Sequence, residues 1–492
     1  MKSKKAFCAV IALAIIISAF LASCSAGDDN RPSDKTPAEN AGGTDAEKAD
    51  EPEDAVDSAI GERSKIPDGV EDEDMNGMEV RICVRSNWYQ AELFIEEETG
   101  EPVNDAIYSR NIKVEDRFNI KLEKRLADAP SQVGLKIVQA GLDDYDLVAD
   151  HMVNMGTASL KKPFLNWLDI PTIDLSKQWF PADMLKEMTV NDVLYVLAGD
   201  YCHTLVYLTN CMFFNKKLVR DYGLEDPYKI VLDGEWTIDR LNAITKDLYK
   251  DLDGDGRATK EDFYGFASDY NTGAVNYTYS SGMRIMRKAE GKVEYDLPNE
   301  KTYANFQKIY ELFNNQGTHA GNWGEETELF KKKQAIFINY FFDFAKALRD
   351  FEEDFGIIPY PKFDGAQQGY LTTFNGAVTL LGVPITAKEP DRIGKIVNVL
   401  NAESWKTVVP QYYDIGMKVK FTRDDESVRI MDMILEGRVF DLGGVYDDFG
   451  NGYIYYLQTL MSKNNDGIAA YFEKQQGRAE KHIATINEAF FG

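Results

Sequence analysis

The chain has 492 residues, with 55 Lys or Arg against 81 Asp or Glu, a formal charge of −26. That length exceeds what one hydrophobic core fills, so two or three structural units are expected. The 44% hydrophobic content excludes wholesale disorder, and so acidic a surface argues against nucleic acid or anionic lipid as the main partner. Six Trp, 26 Tyr and 27 Phe need a core or a ligand to cover them.

Lys2, Lys4 and Lys5 precede an apolar run over residues 6–22. The run is shorter than the roughly 20 residues that span a bilayer, and its positive head and small-residue tail read as a secretory signal over 1–23. It ends in Leu21-Ala22-Ser23-Cys24, which is similar to the lipobox of bacterial lipoproteins. That resemblance implies cleavage before Cys24 and transfer to its sulfur of a diacylglyceryl group bearing palmitate-type chains. Anchoring by two chains is stable where one is marginal, so the expected place is the outer face of the cell membrane. Residues 24–75 read as a disordered acidic linker. Between Ser25 and Met75 lie 17 acids and five bases, with almost no large apolar side chain to offset the entropy of ordering.

Three cysteines remain beyond these segments: Cys83, Cys202 and Cys211. An odd number at irregular spacing is no disulfide framework, so they read as packed thiols, with a Cys202–Cys211 bridge as the alternative.

Met78-Glu-Val-Arg-Ile-Cys-Val84 alternates as a strand does, and the spacing over 101–118 predicts a helix. A strand over 119–122, a helix over 132–141 and a buried-type strand over 145–149 follow. Alternating strands and helices predict an α/β sheet with crossover helices, whose ligands collect at the carboxyl ends of strands. From Val193 a long stretch reads as β-rich and ends in Phe213-Phe-Asn-Lys216. Thr237 is then placed to cap an amphipathic helix.

The order Phe213-Phe-Asn-Lys216, Tyr222-Gly-Leu224 and Trp236-Thr237 resembles the extracellular solute-binding proteins of bacterial ABC importers, chiefly the carbohydrate-type family that includes maltose-binding protein. Ala335-Ile-Phe-Ile-Asn339, Phe355-Gly-Ile-Ile-Pro-Tyr-Pro361, Phe374-Asn-Gly-Ala-Val378 and Ile385-Thr-Ala-Lys388 extend the match in family order. Tyr340 departs from the family glycine, and Phe342 stands where a Trp is common. The resemblance covers roughly 76–492. It implies a two-lobed α/β fold of the periplasmic-binding-protein type (type II), with hinge crossings near 197–201, 358–361 and 411–416. The amino-terminal lobe would hold 76–198 with 362–412, and the carboxyl-terminal lobe 199–357 with 413–492. It also implies a monomer that delivers a ligand to permease subunits powered by a separate ATPase. The membrane would be touched through the lipid anchor alone.

Within the expected second lobe, Asp251-Leu-Asp253-Gly-Asp255-Gly256-Arg257-Ala-Thr259-Lys-Glu-Asp262 matches a calcium-loop template. Oxygens would come from Asp251, Asp253, Asp255, Thr259 and Asp262 and from the Arg257 carbonyl, with Gly256 at the sharp turn. Asp262 replaces the usual Glu and is one methylene shorter. A structural calcium ion is expected.

A sugar needs a flat ring against its C–H face and amides or carboxylates along its hydroxyl rim. Candidates where strands meet the expected cleft are Trp88 and Tyr89, Asp150 and His151, Asp200 and Tyr201, Asn339, Tyr340 and Phe342, and Asn375 and Gly376. Trp323 and Tyr413 are outer candidates, and Trp405 reads as packing. Arg85 is the one basic residue beside these aromatics, so a neutral sugar or polyol is favoured over an amino acid or peptide. A secreted glycoside-acting enzyme is the first rival. No His-x-x-x-His pair, Gly-x-Ser-x-Gly elbow or Walker loop supports chemistry here. A surface adhesion or scaffold lipoprotein is the second.

Overall fold

The computed structural model describes residues 60–413, 425–447 and 452–492. The signal segment, Cys24 and the linker through residue 59 lie outside the described residues, as do residues 414–416 of the 411–416 crossing.

Among the described residues, twelve strands form two sheets and a hairpin. The first sheet contains β1 (Met78–Arg85), β2 (Ile120–Ala127), β3 (Leu147–His151) and β12 (Thr379–Gly382) in the order β12-β3-β1-β2. β1 runs parallel to both β2 and β3, whereas β12 is antiparallel to β3. Parallel neighbours need crossovers, and the helices Pro102–Phe118 and Pro130–Gln139 supply them. The first starts where Glu101 accepts the Asn104 amide and stops at Asn119 in the left-handed region (φ 49°).

The second sheet holds β4 (Asn210–Asn215), β5 (Tyr249–Lys250), β6 (Phe263–Asp269), β9 (Thr318–Gly321), β10 (Ala335–Phe341) and β11 (Phe355–Ile358). Its order is β11-β4-β10-β6-β5, with β9 also on β6. The strands β7 (Met286–Ala289) and β8 (Lys292–Tyr295) pair as a separate hairpin. Thr237 caps the helix Ile238–Thr245 as its position predicts, its hydroxyl accepting the Arg240 amide.

The β-rich reading of 193–216 holds only from Asn210. Upstream, Leu197 bridges Leu381 of the first sheet, the chain turns at Gly199, and a short helix occupies Thr204–Tyr207. A Cβ at Gly199 would lie 2.1 Å from the Asn401 amide oxygen, so the turn needs glycine. The outgoing crossing therefore lies between Leu197 and Asn210.

The return crossing falls later than 358–361. Beyond β11, Lys362 pairs with Thr237, the Tyr370 hydroxyl donates to the Val231 carbonyl (2.9 Å), and Thr372 pairs with Arg438. Residues 362–373 thus pack beside the second sheet, because buried Trp236 draws the chain there through Nε1 to the Pro359 carbonyl (2.9 Å). Transfer occurs between Phe374, bridged to Thr209, and Thr379 in the first sheet.

The tether ends earlier than Met75. The Arg63 guanidinium donates to the Trp405 carbonyl (2.9 Å), Asp68 pairs with Arg117 (2.7 Å), and Glu73 pairs with Arg392 (2.9 Å) and Lys395 (2.7 Å). Met75 is 2% exposed. Asp68, Asp72 and Glu73, three of the acids that suggested self-repulsion, instead meet bases on the first lobe. Trp405 packs as expected, near Trp179 (6.3 Å).

Burial alone would raise the Asp68 carboxyl, but hydrogen bonds and charge from Arg117 hold it below the usual value. A lowered folded value stabilises the protein above the unfolded value of 3.8 and is lost as pH falls through the folded one. Arg117→Met is therefore expected to cost about 2 kcal/mol at pH 7, with the deficit shrinking below about pH 4, as read by urea melts across pH.

Candidate functional site

Between the two sheets lies a cavity of about 270 Å³. Its first-lobe wall is the carboxyl end of β3, where His151 leads into the helix Met152–Ser159, together with Gly376 and Ala377. Its second-lobe wall is the helix Thr272–Ser280, joined by Asn210, Thr373 and Tyr455.

Local chemistry explains the helix. Asp269 ends β6 in a buried position and accepts the amides of Asn271 (2.6 Å), Thr272 (2.8 Å) and Gly273 (3.0 Å). These bonds satisfy amides that a helix start leaves free. Thr272, Val275, Asn276 and Tyr279 then share one face, at spacings of three and four, and that face lines the cavity. Gly273 sits behind it, where a Cβ would lie 2.6 Å from the Asn339 amide nitrogen. Tyr279 donates to Asp441 (3.3 Å), and Asn276 Oδ1 accepts the Thr373 amide (3.1 Å), tying the helix to the returning chain.

Among the described residues, the lining carries no Asp, Glu, Lys or Arg. Five of its side chains are asparagines: Asn154, Asn210, Asn271, Asn276 and Asn375. Burial and the Arg85 charge push His151 down to about 4, so it is neutral at physiological pH. The cavity therefore offers donors and acceptors without net charge.

Aromatic side chains stand beside it. Trp88 stacks on Tyr89 (3.7 Å between ring centres), whose edge meets His151 (5.9 Å). On the second lobe, exposed Trp323 packs against Tyr340 (5.3 Å) and Phe341 (5.6 Å). Burial raises both Tyr89 and Tyr340, and the Asp343 charge adds to each. Burial pushes Asp343 itself up to about 7 against the lowering effect of Lys346.

Of the sequence candidates, His151, Asn375 and Gly376 line the cavity, and Trp88, Tyr89, Trp323 and Tyr340 lie in the aromatic groups. The others do not line the cavity, and all of them but Asp200 are turned inward. Asp150 is 1% exposed and accepts the Ser131 (3.0 Å) and His151 (2.7 Å) amides, an internal structural role. Tyr201 is fully buried and donates to the Leu197 and Thr379 carbonyls. Asn339 donates to the Tyr360 hydroxyl beneath the second-lobe wall (2.7 Å), and Phe342 is core. Tyr413 is buried and donates to Asp432 (2.7 Å). Asp200 is half-buried, pushed up to about 7 by burial, with Arg438 and Arg63 as its charged neighbours. The sequence reading missed Asn210, Asn271, Asn276, Tyr279 and Tyr455. The available signal was Asp269-Tyr-Asn-Thr-Gly273, a strand end running into a capped helix.

The acidic loop brings the carboxylates of Asp251, Asp253 and Asp255 within 4.8 Å of one another, all exposed. Gly256 turns with φ 75°, and Asp251 accepts the Gly254 (2.7 Å) and Gly256 (2.9 Å) amides. A hydrogen bond from the Asp255 amide favours the Asp253 carboxylate, yet desolvation and the charges of Asp255, Asp262 and Asp251 raise it overall. A divalent cation would relieve that repulsion, so these three acids fit one. Asp262 closes the loop by accepting the Leu252 and Thr259 amides (2.9 Å each), Arg257 keeps a carbonyl within reach of Tyr249 (3.4 Å), and Thr259 accepts the Glu261 amide. Cys83, Cys202 and Cys211 are free and buried, so the Cys202–Cys211 bridge is absent.

No family model matches the sequence, and a search of curated proteins finds no match either. Solved structures do match. An ABC substrate-binding protein from Listeria monocytogenes, in complex with cycloalternan, aligns over 82% of this chain and 99% of its own, with TM-score 0.53 and 12% identity. The fold is that of the two-lobed solute-binding proteins. The GacH receptor of Streptomyces glaucescens, solved unliganded and with acarbose, aligns over 84% of this chain and 97% of its own (TM-score 0.52, 13% identity). A solute-binding protein from Agrobacterium radiobacter in complex with ribitol aligns over 83% and 99% (TM-score 0.51, 14% identity). No helix among the described residues is long and apolar enough to cross a membrane.

Behind the second-lobe wall, buried Glu326 accepts the Gly324 amide (3.1 Å). Burial first, and the Asp269 charge second, push it up to about 8 from the ordinary 4.5. The folded protein holds this proton while the unfolded chain releases it, so stability declines as pH rises from about 4.5 to about 8. Glu326→Gln, which keeps the shape without titrating, is expected to raise stability by ~1–3 kcal/mol at pH 8 and by little at pH 5. Thermal melts at both pH values check this.

Proposed function

We propose that this protein captures a small neutral solute, a sugar or polyol, between its two lobes and delivers it to a membrane permease powered by a separate ATPase. The observation that carries the reading is the uncharged, asparagine-rich cavity between the sheets. Amides match hydroxyl rims in both donor and acceptor sense, whereas a carboxylate or ammonium ligand would find no counter-charge among the described lining residues and would lose its hydration. The exposed Trp88 and Trp323 offer flat faces to C–H surfaces. The fold supports capture by closure, in which contacts made by both lobes at once favour the closed state. A micromolar constant, about −8 kcal/mol, suffices to bias closure and still permits release. In this reading Cys24 carries the lipid that holds a monomer at the outer membrane face.

Titration calorimetry with D-glucose, maltotetraose, ribitol, glucosamine, glucuronate and a tripeptide tests the ligand class. The expected outcome is binding confined to uncharged compounds, with compaction in small-angle scattering. Binding of the charged compounds or the peptide alone overturns it.

The Asp251–Asp262 loop belongs to the same reading as a structural calcium site. Asp251, Asp253 and Asp255 would supply carboxylates, the Arg257 carbonyl and Thr259 further oxygens, and Asp262 the closing acid. Calcium is expected to raise the melting temperature of the wild type and not that of Asp255→Asn. An identical melting curve with calcium and with chelator would rule the site out.

A further inference from the structure

Tyr89 cannot offer a ring face to a ligand. Trp88 lies 3.7 Å from its ring centre, and the Arg85 guanidinium carbon lies 3.9 Å from the same centre. Two groups that close to one ring centre must occupy opposite faces. The result is a three-layer stack, Arg85–Tyr89–Trp88, whose only open face is the outer face of Trp88, 56% exposed.

The base of the stack is buried in the hinge. Arg85 is 4% exposed, donates to the Ala377 carbonyl (3.0 Å) and the Thr379 hydroxyl, and lies 3.9 Å from the Glu92 carboxylate. Glu92 is 1% exposed. One of its oxygens accepts the Thr379 hydroxyl at the start of β12, after the return crossing. The other accepts the Thr204 amide (2.9 Å) and the Cys202 thiol (3.3 Å), both on the outgoing crossing. Arg110, also buried, holds the Glu92 carbonyl (3.3 Å) from the helix Pro102–Phe118.

We propose that Arg85 and Glu92 are positioning residues for ligand capture, fixing the Trp88 platform and linking it to the 197–210 and 374–379 crossings, so that a ligand seated on Trp88 acts on the hinge. This rests on reading the cleft as the ligand site. The guanidinium suits the role because it stacks on a ring and donates in a fork at once; a lysine does neither well.

The link is tested without ligand by amide hydrogen exchange. Among the described residues Arg85 makes no hydrogen bond or ion pair with 202–206, so Arg85→Lys reaches them through Glu92 and Thr379. At least about fivefold faster exchange there, alongside 377–380, is expected, with the second-sheet strands unchanged. Wild-type exchange at 202–206 overturns the link. Glu92→Gln, which keeps shape and one acceptor, provides the same readout should Arg85→Lys not fold. With D-glucose, maltotetraose and ribitol as probes, Trp88→Ala is expected to weaken binding about tenfold without lowering the melting temperature. Arg85→Lys is expected to bind weakly and compact less than the wild type at saturation. Equal compaction by Arg85→Lys, or unchanged binding by Trp88→Ala, overturns the proposal. If none of the probes compacts the wild type, the capture reading fails, and the exchange result still decides the link.

Discussion

Glu92 lies at the junction of the two sheets, and the arrangement of the cleft depends on how its carboxylate is satisfied. Taking a carboxylate out of water costs several kcal/mol unless donors replace the lost hydration. Here the donors come from two stretches of chain that join the sheets, at Thr204 and Thr379, with the Arg85 guanidinium close by. Satisfying one group therefore holds three separate segments in register. Tyr201 reinforces the same point with its hydroxyl shared between the Leu197 and Thr379 carbonyls.

Around this junction the protein separates charge from the ligand space. Acids near the second-lobe wall, buried Glu326 and half-buried Asp343, are pushed upward to about 8 and about 7, while His151 is pushed down to about 4. Each shift moves a side chain toward its neutral form, because burial disfavours charge. The cavity itself is walled by asparagines, whose polarity survives burial at lower cost. The acidic character of the chain as a whole thus says little about its cleft.

Much of the fold was legible locally. The strands and helices of the first lobe follow alternation, capping and chain-stop signals within a residue or a few, and Thr237 caps its helix as its position predicts. The acidic calcium-type loop is equally local, and its three leading aspartates do converge. The site was legible only in part. His151, Asn375 and Gly376 stand at strand ends and crossings, where a one-dimensional pattern points. Asp150, Tyr201, Asn339 and Phe342 occupy similar positions but face the interior, because the partners that absorb them, Ser131, Thr379, Tyr360 and the second-sheet core, lie elsewhere in the chain.

Residue order by itself determined the strands and helices of the first lobe, the alternating α/β layout and the family-like succession of motifs, since these rest on contacts among near neighbours and on periodicity. Tertiary structure alone decided that 60–75 docks on the first lobe, that the chain returns near Phe374, and that the helix Thr272–Ser280 walls the cavity. It also decided that Tyr89 is enclosed while Trp88 is open. The reason is reach: Arg63 with Trp405, Asn276 with Thr373 and Glu92 with Thr379 are pairs 342, 97 and 287 residues apart, and no local pattern encodes which of them meet.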